Sequence, residues 1–228
     1  MTDLKVGGLA RLSTCDWPGE LVATIFCQGC PWDCPYCHNP HLRPTRDSPA
    51  LAWTDVLTFL ERRRGLLDGV VFSGGEPTLQ AALPDAIHAV RTMGFRIGLH
   101  TAGPFPERLA ALLPSVDWVG LDIKARFGDY ERTTGVPGSG DKALASLRHL
   151  LDSGVDYEVR TTVHPGLLSR IDLLDLMEQL SVLSVKRYAI QAFRATSDIV
   201  DRLSSVPTYV PFDLPQNCED RFAEYCVR

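Results

Sequence analysis

The sequence predicts an α/β fold of six consecutive parallel β/α units. Two patterns carry the prediction. From Leu21 onward short apolar runs alternate with stretches of helical periodicity, and a glycine repeatedly marks the passage from a helical stretch to the next run. Of the 228 residues 45% are apolar, enough for one continuous core, and no Ser/Gly-rich linker interrupts the alternation. One domain is therefore expected over 1-228, with a core at about 18-195 and a C-terminal extension at 196-228.

In chain order the strand candidates are Leu21–Phe26, Gly69–Phe72, Phe95–Leu99, Val116–Leu121, Val155–Thr162 and Val185–Gln191. Most of their residues are β-branched or otherwise apolar, as in strands covered on both faces. After the first strand Trp53, Val56, Leu57 and Leu60 recur at helical spacing, and Arg62-Arg63-Arg64-Gly65 supplies cations and then a stop. The same stripe returns at Leu83, Ile87 and Val90 before Gly94, at Leu144, Leu147 and Leu151 before Gly154, and at Leu173, Leu176, Met177 and Leu180.

Six such units either close part of a barrel or lie open as a doubly wound sheet. Both architectures put functional loops at the carboxyl ends of the strands. Ser73-Gly74-Gly75-Glu76-Pro77, His100-Thr101, Asp122-Ile123-Lys124, Arg160 to His164 and Gln191-Ala192-Phe193-Arg194 all occupy such ends, and a run of cysteines follows the first strand. These residues are expected to converge on one rim.

Charge and composition remove several function classes. A net charge of −5 provides no broad basic field, so nucleic acid is not an expected partner. No stretch approaches the roughly 20 apolar residues of a membrane span, and Met1 leads into Thr2-Asp3-Leu4-Lys5 without a signal-peptide core. A cytoplasmic protein is expected. Four of the seven cysteines fall between Cys27 and Cys37, the crowding of a metal site rather than of a disulfide framework.

The segment from Cys27 to Pro40 can be parsed in three ways. Cys27-x-x-Cys30 with Cys34-x-x-Cys37 reads as a four-thiolate zinc site, although such pairs usually come from separate knuckles. Cys34-Pro35-Tyr36-Cys37 alone reads as a redox pair, which leaves Cys30 and the rim residues without a role. As C-x3-C-x2-C, Cys30, Cys34 and Cys37 give three thiolates to a cubane that normally takes four, so one iron stays open for chemistry. On the third parse Cys27 is a buried thiol near the cluster, because a fourth thiolate would close the open iron. Cys15, Cys218 and Cys226 are scattered and read as small packing residues.

The third spacing, with aromatic Tyr36 before the last cysteine, resembles the signature of the radical S-adenosylmethionine superfamily. The resemblance implies a partial (β/α)6 TIM-like barrel with a 4Fe-4S cluster and S-adenosyl-L-methionine at the carboxyl ends of the strands. It also implies that the reduced cluster cleaves the cofactor to a 5′-deoxyadenosyl radical. Gly74, Gly75 and Glu76 resemble the family's Gly-Gly-Glu loop, whose backbone and carboxylate hold the cofactor's amino group; paired glycines allow close approach of the main chain. Arg160 shares a strand face with Glu158, which makes a structural ion pair between them one reading. By resemblance to glycyl-radical activating enzymes, Arg160 instead binds the cofactor carboxylate, a task suited to a charged fork.

Asp122 and Lys124 are similar to an Asp-x-Lys segment that lies near the cofactor in activating enzymes, with a plain salt bridge as the alternative. His100 and Thr101 take the ribose-facing position by the same analogy. Tyr36, His164, Gln191 and Arg194 complete the expected cofactor-binding set. His38 and Asn39 follow the last cysteine in a run typical of activating enzymes.

The opening Leu4-Lys5-Val6-Gly7-Gly8-Leu9 and Ser13 to Gly19, taken with the cluster loop and the rim motifs, resembles the activating proteins of anaerobic ribonucleoside-triphosphate reductases over about the first 195 residues. Cys15 departs from the aliphatic residue usual there. The resemblance implies an oxidoreductase that places a glycyl radical on a partner anaerobic ribonucleotide reductase. A flavodoxin- or ferredoxin-type electron donor is implied with it. Two alternatives are an enzyme of the same superfamily acting on a small molecule, and a noncatalytic Fe-S or zinc-binding module.

Overall fold

Side chains alternate between two environments along each central strand, and that alternation organises the molecule. Ala23, Ile25, Val70, Phe72, Ile97, Leu99, Val119 and Leu121 are buried with the helix residues Val56, Leu60, Leu83, Ile87, Leu147 and Leu176 in one large core. Val22, Val71 and Trp118 belong to a second, smaller cluster with Trp17 on the other face. Apolar layers on both faces explain why these strands read as nearly continuous hydrophobic runs.

The structure is a computed structural model that describes residues 3–45, 49–164, 166–194 and 219–228. Cys218 and most of the C-terminal extension lie outside the described residues. Among the described residues eight strands form one sheet in sequence order: β1 (Val6–Ser13), β2 (Val22–Cys27), β3 (Gly69–Gly74), β4 (Arg96–Thr101), β5 (Trp118–Asp122), β6 (Asp156–Val163), β7 (Arg187–Ala192) and β8 (Glu224–Val227). β1 runs antiparallel to β2 and every later pairing is parallel. No pairing joins β8 to β1 among the described residues, so the sheet is an open, partial barrel. Its helices are α1 (Trp53–Glu61), α2 (Leu83–Thr92), α3 (Pro106–Leu112), α4 (Tyr130–Thr134), α5 (Ser139–Ser153) and α6 (Arg170–Val182). None is long and apolar enough to cross a membrane.

The six expected parallel strands are present, with ends shifted by a few residues, and β1 and β8 add to them. β1 escapes a pattern reading because two glycines and two register shifts break its alternation. β8 is only four residues long and mostly exposed, held against β7 partly by the Arg187–Glu224 ion pair. The short helices α3 and α4 also lack a legible stripe.

The loop between β1 and β2 closes the amino-terminal end of the concave face. Trp17 stacks on Trp118 with ring centroids 5.6 Å apart, and a Cβ on Gly98 would come within 2.9 Å of the Trp17 ring. A side chain at that strand position would expel the tryptophan. Above this indole layer the concave face turns polar, with Thr24, His100, Asp122 and Arg160.

Candidate active site

The cysteine loop leaves β2 at Cys27 and is drawn back against its own far end. Gly29 N–H donates to Leu42 O at 2.7 Å and Cys30 N–H to Arg43 O at 3.1 Å. Beyond the neck, Trp32 packs edge-on to Tyr130 at 5.9 Å, Asp33 N–H donates to Thr134 O at 2.8 Å, and Cys37 N–H closes a turn on Cys34 O at 3.2 Å. Cys30, Cys34 and Cys37 thereby all line one cleft of about 170 Å³. Burial pushes the Cys30 thiol up to about 12 and raises that of Cys34 too, while nearby Lys124 pulls both down. Cys27 is fully buried and is not part of the wall.

The glycine loop after β3 is locked onto the cysteine loop. Gly75 N–H donates to Cys27 O at 2.9 Å and Glu76 N–H to Gly29 O at 2.8 Å. A Cβ on Gly75 would overlap the Gly29 carbonyl, so the missing side chain makes room for the cysteine loop as well as for the cleft that Gly74 and Gly75 line. Glu76 is not among the residues of the cleft wall. It is buried, and its Oε1 accepts from Thr78 N at 3.1 Å, Thr78 Oγ1 at 2.6 Å and Thr101 Oγ1 at 2.7 Å. Its Oε2 accepts from Ala102 N at 3.0 Å, which ties the loop after β3 to the loop after β4.

Arg160 forms the floor. Its Nε donates to Asp122 Oδ1 at 2.9 Å, and its Nη2 reaches Gly120 O at 3.5 Å. A Cβ on Gly120 would stand 2.8 Å from the guanidinium carbon, so the strand glycine admits the fork. Glu158, the alternative partner expected from strand spacing, pairs instead with Arg228. Asp122 and Arg160 are register partners on β5 and β6, a shorter path than two steps along one strand. The Lys124 ammonium is 3.9 Å from Asp122, and it lies 5.7 Å from the Tyr36 ring centroid.

His100 joins this floor to the plugging loop. Ser73 Oγ lies 3.1 Å from Nδ1, and Nε2 lies 2.6 Å from the Asp16 carbonyl. A carbonyl only accepts, so Nε2 carries the proton and Nδ1 accepts from Ser73. Arg160 Nη1 lies 3.1 Å from the same Nε2, a contact between two donors in this tautomer. Burial, reinforced by Arg160, holds the imidazole down at about 3, so it is neutral.

The remaining wall is aromatic. Tyr36 is buried, its ring stacks over His164 at 6.5 Å, and its hydroxyl has no hydrogen-bond partner among the described residues. Phe193 packs against His164 at 4.7 Å and His38 at 5.4 Å.

Of the predicted residues, Cys30, Cys34, Tyr36, Cys37, Gly74, Gly75, His100, Thr101, Asp122, Lys124 and Arg160 line the cleft together. Glu76, His164, Gln191 and Arg194 stand behind or beside it. His164 Nδ1 takes Gly166 N–H at 3.1 Å, Gln191 Oε1 accepts from Thr162 Oγ1 at 3.4 Å, and Arg194 offers its carbonyl to His38 at 3.1 Å. Trp32 and Ala102 line the cleft without having been singled out, and Ser73 and Thr162 line it from strand-end runs expected on the rim but with no role given to them. Strand parity identifies Thr162, two residues beyond Arg160 and on the same face. Asp16 had no local signal, since its contact with His100 spans 84 residues.

The donor set suits an iron–sulfur cluster. Thiolates are the usual protein ligands of such clusters, and a cubane puts each one on a different iron, so the sulfurs need not meet at a point. Among the described residues no three Cys, His, Asp or Glu side chains converge on a single ion. The Tyr36 hydroxyl, unpartnered among the described residues, and the Arg160 guanidinium both belong to residues that line the cleft, where a polar ligand beside the cluster could meet them.

Comparisons with known proteins agree with that chemistry. The family model described as the radical SAM superfamily matches residues 24–180. The chain is 29% identical over 222 residues to a Methanocaldococcus jannaschii protein named as a glycyl-radical enzyme activating enzyme, covering 89% of this chain and 85% of that one. It is 30% identical over 226 residues to the pyruvate formate-lyase-activating enzyme of Streptococcus mutans, covering 89% and 84%. Among solved structures, SuiB of Streptococcus suis bound to S-adenosylmethionine superposes with a TM-score of 0.59 at 15% identity. That match takes in 75% of this chain and 40% of the longer SuiB chain, and reflects the shared fold.

Proposed function

This chain belongs to the radical SAM superfamily, and on that premise we propose that it activates a glycyl-radical enzyme, with an anaerobic ribonucleotide reductase as its protein substrate. The cofactors are those of the family, a 4Fe-4S cluster and S-adenosylmethionine. What they supply when bound is a 5′-deoxyadenosyl radical able to take the hydrogen from a glycine α-carbon; the protein's share is ligation, orientation and exclusion of water.

In this reading Cys30, Cys34 and Cys37 ligate the cluster, and Gly74 and Gly75 bring main chain to the cofactor's amino group while Glu76 braces them from behind. Arg160, already fixed by Asp122, presents its guanidinium to the cofactor carboxylate. Lys124 stands beside that pair, and His100 and Thr101 face the ribose. Tyr36, with His164 packed on it and Gln191 and Arg194 farther along the rim, borders the far side. A flavodoxin- or ferredoxin-type protein delivers the electron.

The observation that carries the reading is the single cleft in which the cysteine loop, the glycine loop and the Arg160–Asp122 pair meet. Support for an activating role comes from relatives named as activating enzymes that align with this chain over most of both lengths.

The test is anaerobic. The protein is reconstituted with iron and sulfide, reduced, and mixed with S-adenosylmethionine and an anaerobic ribonucleotide reductase, with Cys34→Ser as control. 5′-Deoxyadenosine together with a glycyl-radical doublet on the reductase, both absent from the control, is the expected result. 5′-Deoxyadenosine without the doublet would rule out that reductase, and no 5′-deoxyadenosine from a well-formed cluster would overturn the chemistry.

A further inference from the structure

One buried amide closes the neck of the cysteine loop. Four consecutive carbonyls, from His41 to Pro44, are all taken by residues 28–30. The middle two, Leu42 and Arg43, accept the N–H groups of Gly29 and Cys30 at 2.7 and 3.1 Å. The outer two, His41 and Pro44, accept the two hydrogens of Gln28 Nε2 at 3.2 and 2.9 Å.

Gln28 is itself fixed and only 6% exposed. Its N–H donates to Lys5 O at 2.9 Å, and its carbonyl accepts from Gln80 Nε2 at 3.1 Å. β1 leaves space for the amide at Gly7, where a Cβ would stand 2.7 Å from Gln28 Oε1. Arg43, at the far side of the neck, reaches into the loop to pair with Asp33.

We propose that Gln28 is a positioning residue for the cluster: its amide holds the two ends of loop 28–44 together and so presets the spacing of Cys30, Cys34 and Cys37. The proposal rests on reading those cysteines as the cluster ligands. A loop ordered in advance loses less entropy when it takes up metal, and it holds the metal longer. Among the described residues no other side chain hydrogen-bonds both outer carbonyls. An apolar residue at 28 would take away the side-chain donors that tie the two carbonyls together, and a carboxylate would set an acceptor against two acceptors.

The experiment compares wild type with Gln28→Leu, Gln28→Glu, Gln28→Asn and Leu147→Ala. The last opens a cavity on α5, at a residue outside loop 28–44, and controls for lowered stability. Reconstituted proteins are challenged anaerobically with a ferrous chelator, the rate of iron transfer is followed, and electron paramagnetic resonance (EPR) spectra of the reduced clusters and thermal midpoints are recorded. Gln28→Leu should release iron about tenfold faster than wild type. Gln28→Glu should be faster still, Gln28→Asn, too short to span both carbonyls, intermediate, and Leu147→Ala unchanged despite its lower midpoint.

Wild-type rates and spectra in the Gln28 variants, or equally fast release from Leu147→Ala, would overturn the positioning role while leaving the ligand assignment standing. A wild type that assembles no cluster would overturn both.

Discussion

Arg160 Nε donates to Asp122 Oδ1 across 2.9 Å, joining β6 to the end of β5 at the bottom of the cleft. The guanidinium is therefore aimed before any ligand arrives, and its removal should affect binding more than metal content. Arg160→Ala is expected to keep its iron and to bind S-adenosylmethionine at least about tenfold more weakly, one charge-assisted hydrogen bond's worth. Arg160→Lys should recover only part of that loss because it lacks the fork. Calorimetric titration of the reconstituted proteins decides the matter, and wild-type affinity in Arg160→Ala would remove it from the site.

The cysteines should divide by position rather than by reactivity. Cys34→Ser is expected to abolish the iron–sulfur absorbance, whereas Cys27→Ser, altered at a fully buried position off the cleft wall, should retain iron and lose only about 1 kcal/mol of stability. Loss of the cluster in Cys27→Ser would reverse the ligand assignment.

His100 predicts a pH dependence. Its folded value lies near 3 against an ordinary 6.5, with burial the main cause and Arg160 the second. A depressed value means that the unfolded chain binds the proton more readily, so this contribution is complete above pH 6.5 and fades as pH falls toward 3. Between pH 7 and 5 the wild type should lose about 2 kcal/mol through this group. His100→Gln, which cannot titrate, should show a flatter curve in urea unfolding; parallel curves would contradict the neutral, buried imidazole.

Glu76 offers a test of brace against ligand. Both its oxygens already accept from Thr78, Thr101 and Ala102, and Glu76→Gln would turn an amide N–H₂ toward at least one of those donors. A loss of about 1–3 kcal/mol in unfolding free energy is expected, with only a small change in cofactor affinity once the protein is folded. Unchanged stability with a large affinity loss would give the carboxylate back to the cofactor.

The parallel core was legible because each strand from β2 to β7 is an apolar run long enough to show its character, and the strand-end rule then gathered the cysteines, the glycine pair and Asp122 on one rim. What escaped depended on distance along the chain. Arg160 looked toward Glu158 because spacing within a strand is visible in a sequence, whereas the register that sets it beside Asp122 is not. Asp16 reaches His100 only because Trp17 anchors its loop inside the concave face, and that needs glycines on strands far downstream. Glu76 has the right motif, but whether a carboxylate points into a cleft or behind it depends on Thr101 and Ala102, which arrive with the next strand.

The sheet is laid down in the order in which it is written, each strand pairing with its predecessor. A ribosome that has released β1 to β4 has released the cysteine loop, its neck and the glycine loop that clamps it, all in mutually paired strands. The arginine arrives two strands later, with β6. Synthesis thus delivers the thiol-bearing half first and the half carrying Asp122 and Arg160 second, so the neck and the glycine-loop clamp exist before Tyr130 and Thr134, which hold the rest of the cysteine loop, have been made.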